Sequence, residues 1–210
     1  MTQDLTDPVD WFNENFEPMI EKFSLERDHM KGYVRLLEKF TQLVGYGKIL
    51  DAGCGWGRDV NYFNQNGLDA VGVDMAPEPL EYARENNEGS FQRMDIGYLA
   101  FKDQKFDGVW CNSVIHFYKP QKMSKTISEL TRILKKEGIL YINFKLSENS
   151  PEEDVREEED GSHVKRYLVP KEKVQEILEG NNLEILEEHS EVNTEDFDNP
   201  VWSVFCRKKQ

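Results

Sequence analysis

From residue 48 onward, short apolar runs alternate with longer stretches whose apolar positions return every three or four residues. The runs at 49–52, 70–74, 89–94, 106–112, 138–144, 183–191 and 201–207 have strand length, whereas 59–66, 79–86, 121–136 and 170–179 carry the helical period. Strand and helix in alternation predict a mainly parallel sheet covered on both faces. The last two runs are separated only by a loop with Asn193, Asp196, Asp198 and Pro200, which predicts a closing antiparallel hairpin.

Residues 8–44 keep the helical rhythm without strands. Trp11, Phe12, Phe16, Met19, Ile20 and Phe23, then Met30, Tyr33, Val34, Leu36, Leu37 and Phe40, predict two or three helices with a break near Ser24. Most of these side chains are expected to pack on the sheet edge. Residues 152–160 read Glu-Glu-Asp-Val-Arg-Glu-Glu-Glu-Asp, and like charges at that density predict a mobile surface loop. It leaves the carboxyl end of the fifth strand, where open α/β sheets bind ligands. His163, Arg166 and Tyr167 on its far flank are therefore candidates for orienting an anionic substrate, Arg166 through a bidentate pair. Lys165 and Arg166 are equally suited to balancing the preceding acids.

Chemistry concentrates at the first strand, in Lys-Ile-Leu-Asp-Ala-Gly-Cys-Gly-Trp-Gly-Arg-Asp from Lys48 to Asp59. Gly53, Gly55 and Gly57 on alternate positions let a ligand lie directly against the backbone. A dinucleotide fingerprint needs a third glycine three residues after the second, and Arg58 stands there. No Gly-Lys-Ser/Thr closes a phosphate loop. The next strand ends in Asp74, about twenty residues after the glycines, where a carboxylate suits the vicinal hydroxyls of a ribose.

The chain has 210 residues, enough for one domain with a substantial core. A formal net charge of -14 disfavours nucleic acid as partner. Cys54, Cys111 and Cys206 form no Cys-x-x-Cys or zinc pattern, so reduced thiols and no metal are expected. No apolar run is long enough for a bilayer, and the first residues lack the features of a secretory signal. The expected compartment is cytoplasmic, and the expected state a monomer or homodimer.

The pattern Asp51-x-Gly53-x-Gly55-x-Gly57, followed by a helix and Val71-Gly72-Val73-Asp74, resembles motif I and its sequel in the class I S-adenosylmethionine-dependent methyltransferases. The resemblance covers the chain from about residue 37 to its end. It implies a doubly wound α/β sheet of seven strands in order 3-2-1-4-5-7-6 with the seventh antiparallel, forming a single domain over 1–210. Residues 1–44 would be a helical lid on an α/β core at 45–210, with Trp11, Phe16 and Tyr33 at the substrate mouth.

The same resemblance implies that Asp51 and the three glycines lie under the methionine part of the cofactor. Asp74 takes the ribose, with Met75 as a ring contact. Asp95 receives the adenine amine, with Ile96 against the ring. Asn112 and Ser113, in Phe106-Asp-Gly-Val-Trp-Cys-Asn-Ser-Val-Ile-His-Phe117, resemble motif IV beside the methyl group. Base-methylating relatives carry Asn/Asp-Pro-Pro-aromatic there, which this chain lacks. His116 is either structural or a general base.

The implied activity is methyl transfer from S-adenosylmethionine to a small-molecule acceptor by in-line displacement, releasing S-adenosylhomocysteine and requiring no metal. Two alternatives stand beside it: a catalytically silent cofactor-binding scaffold with a protein partner, and an NAD-linked oxidoreductase, which Arg58 in place of glycine argues against.

Overall fold

The computed structural model describes residues 5–191 and 201–210. Helix α1 (Pro8–Lys22) starts on Asp7, whose Oδ1 accepts the Val9 N–H at 2.8 Å, with proline at the first helical position. A 3₁₀ turn, Asp28–Met30, leads into α2 (Lys31–Val44), so the helical segment breaks where the sequence predicts. Then come β1 (Lys48–Ala52), α3 (Arg58–Gln65), β2 (Asp69–Asp74), α4 (Pro77–Asn86), β3 (Ser90–Arg93) and β4 (Phe106–Cys111). A second 3₁₀ turn, Ile115–Phe117, precedes α5 (Pro120–Ile133) and β5 (Leu134–Ser147). Next are β6 (Glu152–Glu157), β7 (His163–Pro170), α6 (Lys171–Gly180), β8 (Leu183–Glu191) and β9 (Val201–Lys208).

Strands β3-β2-β1-β4-β5 are parallel neighbours in that order. Strand β9 pairs antiparallel with β5, and β8 antiparallel with β9. These seven strands reproduce the expected order, β9 standing as the antiparallel seventh and β8 as the sixth. The loop holding Asn193, Asp196, Asp198 and Pro200 lies outside the described residues.

Each strand presents alternate side chains to opposite faces. Leu50, Val109, Leu140 and Ile142 meet Ile127, Leu130, Val174 and Leu178 of α5 and α6. On the other face Ile49, Trp110, Tyr141 and Phe205 meet Leu37 and Phe40 of α2, Phe63 of α3 and Leu80 of α4. Trp110 and Tyr141, on adjacent strands, stack with ring centroids 3.8 Å apart.

The sequence reading is corrected in three places. Among the described residues the sheet has nine strands rather than seven. Residues 152–157, expected to be a loop, form β6, paired antiparallel with β7 from Glu152↔Leu168 to Glu157↔His163. Charge density along the chain misleads there because the opposite charges sit across the ladder: Lys165 Nζ lies 2.6 Å from Glu153 Oε2, Arg166 pairs with Glu158, and Asp154 stands opposite Arg166. Finally, β5 begins at Leu134, inside the stretch 121–136 expected to be helical. Glu137 takes a left-handed φ of 61°, and the strand is extended through pairing with β4 and β9.

Candidate active site

Strand β1 has β2 on one side and β4 on the other, so the winding of the sheet reverses beside it. The glycine turn leaves its carboxyl end. The N–H groups of Gly53 and Cys54 both donate to Val73 O, at 2.8 and 3.0 Å, tying the turn to β2. Gly55, at φ 50°, directs its N–H to Asp74 Oδ2 at 2.9 Å, and a Cβ there would lie 3.2 Å from the Phe12 ring. The Asp74 Oδ1 accepts the Ala76 N–H at 2.9 Å. Burial pushes the Asp74 carboxyl up, and these backbone donors partly offset it. A carboxylate has about four acceptor positions, so Asp74 retains capacity for ribose hydroxyls. Asp51 is buried at the base of the turn, its carboxyl pushed well up by burial and then by Asp59 and Asp74, with Arg58 opposing.

Arg58 does not reach into solvent. Its Nε donates to Asp59 Oδ1 at 2.7 Å and Nη1 to Phe23 O at 3.2 Å, while the guanidinium lies 4.5 Å from the Tyr33 ring centroid. The Tyr33 hydroxyl and the Trp110 indole N–H, the latter at 3.0 Å, both donate to Asp59 Oδ2. Tyr33 therefore fastens α2 to the amino end of α3, with its hydroxyl committed to Asp59.

Past β3, Asp95 Oδ1 accepts both the Tyr118 hydroxyl at 2.7 Å and the Gly97 N–H at 2.8 Å. The Oδ2 has no partner among the described residues and is the oxygen an exocyclic amine would use. Ile96 is 2% exposed and belongs to the core, whereas Met75 is 38% exposed beside Asp74.

At the exit of β4, Ser113 has a left-handed φ of 58°. Asn143 of β5 holds it, accepting the Ser113 N–H at 2.7 Å and donating to Asn112 Oδ1 at 2.9 Å. Beyond, His116 is buried with its ring 4.5 Å from that of Phe117. Burial, then the charges of Lys145 and Arg166, hold the imidazole well below its ordinary pKa, so it is neutral at pH 7. Burial, then Arg166 and Arg156, push the Lys145 amine down to about 8.

Helix α1 bridges the two ends of this site. On one side Phe12 stacks on Trp56 at 6.1 Å, Phe16 meets Tyr82 edge-on at 5.8 Å, and Asn13 Oδ1 accepts the Glu78 N–H at 3.2 Å. On the other, Trp11 Nε1 and Asn15 Nδ2 donate to Asp160 at 3.4 and 3.0 Å, and Lys22 lies 3.2 Å from Glu159, all on the turn between β6 and β7. Thr6 N–H donates to His163 O at 2.9 Å.

The structure thus brings together Asp51, the glycines and Asp74 on one side, and Asn112, Ser113, His116 and Arg166 on the other. Tyr33 is drawn to Asp59, Trp11 to the hairpin turn, and Tyr167 into the core; His163 is half-buried opposite Glu157. Sequence reasoning missed Asn143, Lys145, Tyr118 and Phe12. A signal existed for the first two: each is a lone polar residue in the apolar run Ile139 to Leu146. Among the described residues no group of three His, Cys, Asp or Glu is placed to hold a metal ion, and no helix is long and apolar enough to cross a membrane.

A reversal of winding beside a glycine turn, with an acid closing the next strand, is the arrangement at which doubly wound α/β proteins generally bind nucleotide cofactors. A family model described as a methyltransferase domain matches residues 50–142. The malonyl-[acyl-carrier protein] O-methyltransferase of Enterobacter lignolyticus is 26% identical over 126 residues, 59% of this chain and 49% of that protein. The chain spans about half the length of such curated relatives. A Pyrococcus horikoshii protein superposes with a TM-score of 0.75 at 20% identity, covering 93% of this chain and 99% of that one. The 1,6-didemethyltoxoflavin-N1-methyltransferase of Burkholderia thailandensis, solved with bound 1,6-didemethyltoxoflavin and S-adenosylhomocysteine, superposes with a TM-score of 0.69 at 17% identity over 100% of this chain and 94% of that one. Over residues 50–142 the chain is thus similar to methyltransferase domains, and its fold is that of the superposed proteins.

Proposed function

We propose that this protein transfers the methyl group of S-adenosylmethionine to a small-molecule acceptor. The observation that carries the reading is the Gly55–Asp74 contact, which sets a backbone turn and a carboxylate side by side at the sheet's point of reversal. Bound there, S-adenosylmethionine supplies a methyl group already activated on a sulfonium. The protein's own contribution is alignment and exclusion of water. Gly53, Gly55 and Gly57 with Asp51 hold the methionine part, and Asp74 and Met75 the ribose side. Asp95 takes the adenine amine, with Ile96 behind the ring, and Asn112 and Ser113 line the methyl-bearing end.

His116 is neutral in its buried setting and can receive a proton, although depressed basicity makes it a weak base. We read the whole chain as one domain in which α1 and α2 are the lid, with Trp11 and Tyr33 as its fastenings. His163 and Tyr167 flank the acceptor side. The net charge of -14 favours a small molecule over nucleic acid. The three buried cysteines, all free thiols, suit a reducing cytoplasm, and we read the protein as a monomer or homodimer.

Calorimetric titration with S-adenosylmethionine, S-adenosylhomocysteine and NAD tests the reading. Saturable binding of the first two, weakened in Asp74→Ala and absent for NAD, is the expected result. Binding of NAD alone, or of none, overturns it. Release of S-adenosylhomocysteine with an acceptor then separates an enzyme from a silent scaffold.

A further inference from the structure

The β6–β7 hairpin and β5 gather charges that the glycine turn and Asp74 do not use. Arg166 is 8% exposed; its Nη2 donates to Glu158, while Nη1 is buried with no hydrogen-bond partner among the described residues. Leaving a buried charged donor unmet costs at least about 1–3 kcal/mol, so a fold that retains one has a use for it. Lys145 is 5% exposed, and its charge and that of Arg166 both act on His116, whose 3₁₀ turn packs against β5 and β7. Around Lys145 stand the cations Arg156 and Arg166 and the carboxylates Asp154 and Glu158. Two buried cations, Lys145 and Arg166, in a chain of net charge -14 run against the mean field of the molecule.

Its position relates it to methyl transfer. Asn143 and Lys145 are two residues apart on β5 and share a face, which separates them by about 7 Å along the strand. Asn143 holds the Asn112–Ser113 turn. The cationic cluster therefore lies one strand repeat beyond the methyl-bearing end of the cofactor site.

We infer that Arg166, with Lys145 and the edge of His116, forms the anion-binding subsite of the acceptor. It takes a carboxylate or phosphate oxyanion on the free Nη1 side of the guanidinium, a few bonds from the atom that is methylated. The inference rests on the methyltransferase reading and narrows it to small organic acids. The oxyanion serves as a handle: paired with a guanidinium it is a poor nucleophile, so the attacking atom lies elsewhere in the acceptor. Because Arg166 is enclosed, the acid reaches it when α1 parts from the hairpin turn at Asp160.

The test is calorimetric titration of the full-length protein, first saturated with S-adenosylhomocysteine, with succinate and separately with inorganic phosphate at constant ionic strength. Binding of at least one anion is expected, and the arm that binds identifies the oxyanion. Arg166→Met should weaken that binding at least tenfold with S-adenosylhomocysteine affinity unchanged, and Arg166→Lys, which keeps charge without the planar fork, by less. Should Arg166→Met fail to fold, Lys145→Met carries the same comparison. Failure of both anions to bind the wild-type protein, or binding undiminished in the variants, overturns the subsite. If S-adenosylhomocysteine does not bind, the methyltransferase reading fails instead, and titration of the unliganded protein still tests the cluster.

Discussion

Asn143 grips the Ser113 backbone N–H at 2.7 Å with its Oδ1 while donating its amide to Asn112 at 2.9 Å. One side chain on β5 thereby fixes the exit of β4, where Ser113 stands in the left-handed region at φ 58°. A non-glycine residue held there stores of order 1–3 kcal/mol, released unless its surroundings over-determine it. Asn143→Ala leaves a backbone donor and the Asn112 carbonyl without this partner, at a cost of about 1–3 kcal/mol. Urea denaturation measures the loss. Turnover should fall further than cofactor affinity if the turn borders the methyl-bearing end as proposed.

Asp74→Asn keeps the shape and removes the charge. Hydrogen bonds to charged groups contribute about 1.5–3 kcal/mol, so S-adenosylhomocysteine affinity should drop roughly ten- to a hundredfold. The thermal stabilisation that the ligand gives the wild-type protein should shrink correspondingly. Equal stabilisation of both forms would remove Asp74 from the cofactor site.

Asp160→Ala should loosen α1 and spare the fold. Asp160 is exposed and accepts from Trp11 and Asn15, so its loss removes two of the contacts between α1 and the hairpin turn, leaving that of Lys22 with Glu159, without opening a core. Hydrogen exchange should accelerate through α1, and KM for the acceptor should rise. Unaltered exchange in α1 would show that Phe12, Phe16 and the Lys22–Glu159 pair hold the helix without Asp160.

His116 should give an acid-side loss of stability. Its folded pKa is depressed, first by burial and then by Lys145 of β5 and Arg166 of β7, so the unfolded chain binds a proton that the folded one refuses. Stability from this group is complete above its unfolded pKa of about 6.5 and declines as pH falls toward the folded value. His116→Gln should show a smaller decline over that window in denaturant titrations. Asp51 and Asp74, both raised, change in the opposite sense and are common to the two proteins. A rate limb near pH 6.5 in methyl transfer by the wild-type protein would contradict the neutral, weakly basic imidazole.

Lys145 gives anion binding its own signature. The amine, pushed down to about 8 by burial, Arg166 and Arg156 against Asp154 and Glu158, loses its charge as pH rises. Oxyanion affinity should therefore weaken from about pH 7 to pH 9, because a bound anion favours the protonated amine. In Lys145→Met the same titration should be flat.

Local pattern was enough for the parallel sheet, its closing antiparallel strand and the glycine turn with Asp74. Each rests on neighbours in the chain: strand and helix periods are short-range, and positive-φ glycines announce a turn wherever they fall. Residues 152–157 were misread because their compensating charges, Lys165 and Arg166, become neighbours only through the β6–β7 ladder. Tyr33 likewise declared an aromatic near the mouth, but its commitment to Asp59 depends on α2 crossing α3. The grip of Asn143 on Ser113 and the meeting of His116, Lys145 and Arg166 join residues from separate elements. Such contacts carry no local period, since sequence separation is unrelated to distance once the sheet has brought its strands side by side, and folding alone creates them.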